Sequence, residues 1–172
     1  MMIRLGVFTI LSVLLLAFTL SRPHRHRFYR FFAFESLLGL VLLNTDTWFR
    51  DPFSSIHLFS WIFLASSFVL AIHGFRLLYI AGLPEGDIED TTQLVTTGAY
   101  RYIRHPIYCS LLLGGMGAFL KDPSLLGLLL LIILLVFVYA TARVEERDNL
   151  KRFGSAYRLY MEKTKMYIPF LF

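Results

Sequence analysis

Five apolar runs, separated by short or basic polar stretches, set the organisation of this chain. They cover residues 5–20, 31–43, 53–80, 107–120 and 124–142. The first, fourth and fifth carry no charged side chain; the second holds only Glu35, and the third holds His57, His73 and Arg76. A backbone in lipid must satisfy its own amides, so each run is expected to be a helix. A span takes roughly 20 apolar residues. The second and fourth runs fall short of that, which predicts local bilayer thinning, interfacial extension or a half-buried hairpin.

Composition agrees with the pattern. Of 172 residues, 56% are hydrophobic and 17% charged, where soluble domains carry about a quarter charged. The net charge of +5 raises nucleic acid as a partner. The basic residues flank apolar runs instead, as membrane orientation requires, so no nucleic-acid partner is expected. Arg22, Arg25, Arg27, Arg30, Arg76, Arg101, Arg104 and the basic residues after Ala142 make up 14 of the 17 Lys and Arg, and only Arg4, Arg50 and Lys121 fall on the other side. By the positive-inside rule the N-terminus lies outside and the C-terminus in the cytoplasm. The basic cluster after the first run reads that run as a retained anchor, not a cleaved leader. Cys109 is alone, so the chain can form no internal disulfide or cysteine metal site. His24 and His26 sit among arginines, and His57 and His73 are far apart, so no metal is expected.

In the turn Lys121-Asp122-Pro123-Ser124, Asp122 is expected to cap the next helix and Pro123 to fit its first turn. Runs four and five therefore predict a tight antiparallel hairpin. Ser110, Gly114 and Ala118 recur every four residues on run four, a spacing that lets helices approach closely in lipid. Gly114-Gly115-Met116-Gly117 follows no strand and is not a nucleotide loop. The expected fold class is thus an all-α integral membrane protein of about five transmembrane helices, ending in a C-terminal amphipathic helix. It forms one domain over residues 1–172, with three spans in 1–82 and the chemistry in 83–172.

Two long polar stretches, 83–105 and 143–172, fall on the same membrane face. The first ends Gly98-Ala99-Tyr100-Arg101-Tyr102-Ile103-Arg104-His105-Pro106-Ile107-Tyr108. Proline keeps its predecessor out of the helical conformation, so His105 marks a break or helix start. The second opens Arg143-Val144-Glu145-Glu146-Arg147, with two carboxylates directly after an uncharged run. Leu150, Phe153, Tyr157 and Tyr160 then recur at three- and four-residue steps, which predicts one amphipathic helix lying on the membrane surface. Taken singly, these read as interfacial anchors, a solvated helix start and packing aromatics.

In this order, Gly98-x-Tyr100, Arg104-His105-Pro106-x-Tyr108, Glu145-Glu146, Phe153-Gly154-x-x-Tyr157-x-x-Tyr160 and Pro169 resemble the isoprenylcysteine carboxyl methyltransferase family. Phospholipid methyltransferases share much of the pattern. The resemblance covers about residues 92–169. It implies an S-adenosylmethionine pocket, with S-adenosylhomocysteine as product. Gln93, Leu94, Val95, Tyr100, His105, Pro106, Tyr108, Glu145 and Glu146 would bind the cofactor. Arg143, Arg104 and Glu146 are the candidate catalytic residues. Arg143 is the nearest match to a family arginine implicated in the acceptor's site, but lies about two positions closer to the paired glutamates. Ala99 stands where proline is common, Ser110 where glycine is common, and Lys163-Thr164-Lys165 where an arginine and a proline are often found.

The implied activity is carboxyl O-methylation of a lipophilic acceptor, most simply a prenylated cysteine, at the cytoplasmic face of a membrane. A carboxylate is already ionised at neutral pH and needs no general base, so the work is alignment and desolvation, worth roughly 7–11 kcal/mol. An arginine would orient the acceptor by a forked hydrogen bond. The alternatives are a phospholipid amine N-methyltransferase, which needs a base, an NADPH-dependent enzyme like the sterol reductases, and a membrane scaffold without catalysis.

Overall fold

The computed structural model describes residues 2–20, 27–85 and 91–171. Residues 21–26, with Arg22, His24, Arg25 and His26 of the basic loop, lie outside them. Six α-helices stand among the described residues: α1 (Met2–Leu20), α2 (Arg27–Leu43), α3 (Ser55–Ala81), α4 (Pro106–Phe119), α5 (Leu125–Phe153) and α6 (Ser155–Lys163). Single 3-10 turns at Thr45–Thr47 and Gly98–Arg101 punctuate the connections. The described residues form no strand, only isolated bridges at Pro84–Thr91 and Ile103–Lys165.

Two helices, α3 and α5, are long and apolar enough to cross a membrane, and α1 and α4 are shorter apolar helices. Their outward faces carry large apolar side chains such as Leu14, Phe68 and Leu135, exposed at 60%, 68% and 56%. A continuous apolar exterior of this kind is costly in water and suits lipid.

The central layer is α4. Its small residues let α3 come close: the Ser67 hydroxyl donates to the Ser110 carbonyl and the Ser60 hydroxyl to the Gly117 carbonyl, each at 2.7 Å. A Cβ on Gly117 would stand 2.7 Å from Leu64 Cγ. The tight partner of the small-residue face is therefore α3 rather than α5. On the other side Leu40, Ala118, Leu134, Val138 and Ala142 pack α2, α4 and α5 into the buried core. Ser124, and not Asp122, caps α5: its hydroxyl accepts from Gly127 N at 3.1 Å, and Pro123 precedes the cap instead of standing in the first turn of the helix.

A second expectation is also corrected. The periodicity from Leu150 to Tyr160 is not a single helix. Helix α5 runs eleven residues past the uncharged run and ends at Phe153, and α6 begins at Ser155. Gly154 between them has φ +56 and ψ −125, a conformation that L side chains rarely adopt. Aromatics at helical spacing continue across the break because both helices face the same interior, which periodicity alone cannot separate from one helix.

The charged ends match the basic asymmetry. Arg4 pairs with Asp46 in the α2–α3 connection. Lys121 Nζ lies 3.4 Å from the Trp61 ring centroid at that same end. Arg50 lies in the same α2–α3 connection, its amide on Thr47 O, and most of the other described basic residues lie on the segments at the opposite end, where the polar stretches meet.

Candidate active site

Four segments converge at that end: the loop through Gly98–Arg101, the start of α4, the polar extension of α5, and the tail after α6. Pro106 is the first residue of α4, where a missing amide costs nothing. His105 before it sits at φ −126, ψ 61, and its carbonyl accepts from Cys109 N at 2.9 Å. That geometry turns the imidazole inward. The ring is 4% exposed and lies between Tyr108, 5.5 Å away and nearly parallel at 26°, and Tyr167, 6.1 Å away.

Neighbouring positions on a helix point about 100° apart, and the paired glutamates divide accordingly. Glu145 lines a cavity of about 220 Å³, and its Oε2 accepts from the Tyr108 hydroxyl at 2.6 Å. Glu146 is buried behind it, 1% exposed. Arg104 Nε donates to its Oε1 at 2.7 Å, and Arg143 donates to its Oε2 at 3.2 Å. His105 Nε2 lies 3.5 Å from Oε1, beyond a well-formed hydrogen bond, and makes none elsewhere among the described residues. The second guanidinium arm of Arg104 donates to the Met161 and Thr164 carbonyls at the end of α6. Glu146 and Arg104 thus lock α5, the start of α4 and α6 together.

The tail completes the site. Arg104 N donates to Lys165 O at 2.8 Å, Lys165 N to Tyr102 O at 3.2 Å, and His105 N to Met166 O at 3.3 Å. The Tyr167 hydroxyl reaches back to the Val138 carbonyl at 3.2 Å. The Tyr160 hydroxyl donates to the Tyr100 carbonyl at 2.6 Å and holds the Gly98–Arg101 turn. Arg152 donates to the Thr91 carbonyl at 3.3 Å and ties the loop to α5.

Burial pushes the phenols of Tyr100, Tyr157 and Tyr160 well above their ordinary value, and the Glu145 charge adds to the effect on Tyr100 and Tyr157. All three are neutral hydroxyls at any working pH. They are suited to donating hydrogen bonds.

Of the expected site residues, Leu94, Val95, Tyr100, Arg104, His105, Tyr108 and Glu145 line the cavity together. Gln93 uses its backbone amide on Gly82 O at 3.1 Å and has an exposed side chain. Pro106 shapes the start of α4. Glu146 and Arg143 stand off the cavity wall, and Arg143 is about half exposed. Sequence reasoning did not place Asn149, Met166 or Tyr167. Asn149 lines the cavity one turn after Glu145, and that four-residue spacing was its only sequence signal. The other half of the cavity is apolar: Phe34 from α2, Ala71, Phe75 and Leu78 from α3, and Ile107 and Leu111 from α4. The site thus draws on residues from both 1–82 and 83–172.

The lining fits a sulfonium nucleoside such as S-adenosylmethionine. Glu145 offers a carboxylate to an ammonium or to ribose hydroxyls, Leu94, Val95 and Phe153 offer apolar surface to a purine, and the buried His105 Nε2 awaits a partner. A single water needs about 10–15 Å³ of such space, so 220 Å³ admits a much larger molecule.

The phospholipid methyltransferase family model matches residues 55–156, more than half of the chain, and the chain belongs to that family. It is also similar to methanethiol S-methyltransferase 1 of Bradyrhizobium diazoefficiens, with 29% identity over 163 residues, covering 87% of this chain and 56% of that protein. The chain therefore spans little more than half the length of this relative.

Proposed function

We propose that this protein transfers a methyl group from S-adenosylmethionine to a nucleophile that reaches the cavity through its apolar half. The observation that carries the reading is the composition of that one cavity. The Glu145 carboxylate, the His105 imidazole and the Tyr100, Tyr108, Tyr157 and Tyr160 phenols line it together with the apolar Phe34, Ala71, Phe75, Ile107 and Leu111. When bound, the cofactor supplies an electrophilic methyl and leaves as a neutral thioether. Glu145, oriented by Tyr108, holds the cofactor's charged or hydroxylic groups. The aromatic and aliphatic walls exclude water and fix the line of approach, the alignment that dominates such a displacement. Glu146 and Arg104 hold the site in shape.

The favoured acceptor is an apolar thiol, which gives its proton to His105 Nε2 on the cavity wall as its sulfur bonds the methyl carbon and the sulfonium C–S bond breaks. Arg104 and Arg143 both spend their charge on Glu146, the slot beyond is apolar, and a relative is named for methylating methanethiol. A second reading keeps the carboxylate of a prenylated cysteine, favoured by the Arg30 guanidinium on the cavity wall. Five spans, α1 to α5, would place the site at the cytoplasmic face, where the basic residues cluster. Helix α4, at 14 residues and so about 21 Å, would thin the bilayer locally. The whole chain would then act as one membrane methyltransferase domain.

The test is a methylation assay with radiolabelled S-adenosylmethionine on the purified protein, offered short alkyl thiols, a prenylcysteine and phosphatidylethanolamine, with NADPH as competitor. Label on the thiol and no effect of NADPH support the first reading. Label on the prenylcysteine alone moves the choice to the second. No transfer to any acceptor and no cofactor retention overturn both.

A further inference from the structure

We propose that His73 is a positioning residue of the cavity, acting through the amide of Ala99 to hold the turn that carries Tyr100. The turn Gly98–Arg101 is a single 3-10 stretch. The first amides of such a turn have no partner within it. Tyr100 N finds Thr97 O at 3.1 Å, and Tyr102 N and Ile103 N find Ala99 O at 3.1 and 3.2 Å. The Ala99 amide instead donates to His73 Nε2, 3.3 Å away on α3. No cavity residue is reached by His73 directly, yet Tyr100 follows Ala99 by one residue.

The contact is shaped from both sides. Gly98 has φ +58, and a Cβ there would lie 2.7 Å from His73 Nε2 and 2.6 Å from Leu77 Cδ1. Only glycine lets the imidazole press against the turn at that point. From the far side the Tyr160 hydroxyl grips the Tyr100 carbonyl at 2.6 Å. The turn is thus clamped between α6, which belongs to the site, and α3, whose Ala71, Phe75 and Leu78 line the apolar half of the cavity. His73 couples the two halves. Accepting at Nε2 requires the imidazole proton on Nδ1.

This geometry makes a specific demand on position 99. A proline there has no amide hydrogen, and its ring carbon would occupy the space into which Nε2 projects. With His73 present the ring collides; with alanine at position 73 the ring has room and its fixed φ suits a 3-10 residue. Histidine at 73 and proline at 99 exclude each other.

The inference rests on the cavity being the cofactor site, so the experiment reads the two separately. Nitrogen-15 spectroscopy of His73 in the intact, unligated chain is expected to show the Nδ1–H tautomer; an Nε2–H tautomer overturns the inference whatever the protein binds. Calorimetry with S-adenosylhomocysteine then compares the unmodified chain, His73→Ala, Ala99→Pro and the double variant. Loss of one hydrogen bond to the turn predicts a roughly five- to tenfold weaker affinity for His73→Ala. Ala99→Pro should be weaker still, and the double variant should return to within about twofold of the unmodified chain. If the double variant binds no better than His73→Ala, or fails to fold where His73→Ala folds, the inference is overturned. If the unmodified chain binds no S-adenosylhomocysteine, the cofactor reading fails, and the tautomer still decides this one.

Discussion

The hydroxyl of Tyr108 donates to Oε2 of Glu145 at 2.6 Å, and through that bond α4 and α5 share one wall of the cavity. One residue further along α5, Glu146 turns away and is consumed by Arg104 and Arg143. The paired acids therefore make different predictions, and so does each group they touch.

Glu145→Gln should weaken S-adenosylhomocysteine binding by more than about tenfold, as expected when a charge-assisted hydrogen bond is lost, while leaving the thermal transition nearly in place. Calorimetry and thermal unfolding on the same preparation check both halves.

Glu146→Gln should act first on stability. Removing one partner of a buried charged cluster costs about 3–5 kcal/mol, because the remaining guanidinium stays buried without its counter-charge. A lowered transition temperature that precedes any loss of binding is the expected order.

Arg104→Lys retains the charge but cannot hold Glu146 and the α6 carbonyls in one planar fork. The loss is expected to be about 2 kcal/mol, from hydrogen bonds to a charged group, with faster proteolysis of the tail that pairs with Tyr102, Arg104 and His105. Limited proteolysis followed by mass spectrometry reads this directly.

Alkaline pH gives a signed prediction. Burial raises the Tyr100, Tyr157 and Tyr160 phenols in the folded state above the ordinary value of 10.0. Below that value the folded and unfolded chains hold the same phenol protons, and their contribution to stability is fully present. Above it the unfolded chain loses protons that the folded chain keeps, which favours unfolding. Thermal stability should show no phenol-linked change up to about pH 10 and decline beyond it; phenols that titrate near 10 in the folded protein would contradict the burial.

At the far end of the bundle, His57 bridges the Asp51 carbonyl at 3.0 Å and the Lys121 carbonyl at 2.9 Å. His57→Ala should cost about 1–3 kcal/mol, the range for stranding a buried polar group, and leave cofactor affinity unchanged. Paired unfolding and calorimetry would show that separation.

Much of this was legible along the chain. Uncharged runs gave α1 and the apolar part of α5, and the proline after His105 gave the start of α4. The family resemblance carried by Tyr100, His105, Tyr108 and Glu145 implied most of the polar wall. What escaped the sequence is long-range. Nothing in Met166 or Tyr167 announces that the tail pairs with residues 102–105. The division of labour between Glu145 and Glu146 needs the helix azimuth, which follows from packing and not from two identical letters. Gly154 interrupts a run of aromatics whose spacing looks unbroken. The alanine at position 99 was visible as a departure from the resembling pattern, and only the fold shows that it supplies an amide to His73.

The most direct test of the central claim is photolabelling of the intact chain with methyl-tritiated S-adenosylmethionine, followed by peptide mapping. The account predicts label, displaced by S-adenosylhomocysteine, on the peptides carrying Tyr100 to Tyr108 and Glu145 to Tyr157. Label confined to the Lys121 turn or to α1, or none that the product displaces, would contradict it.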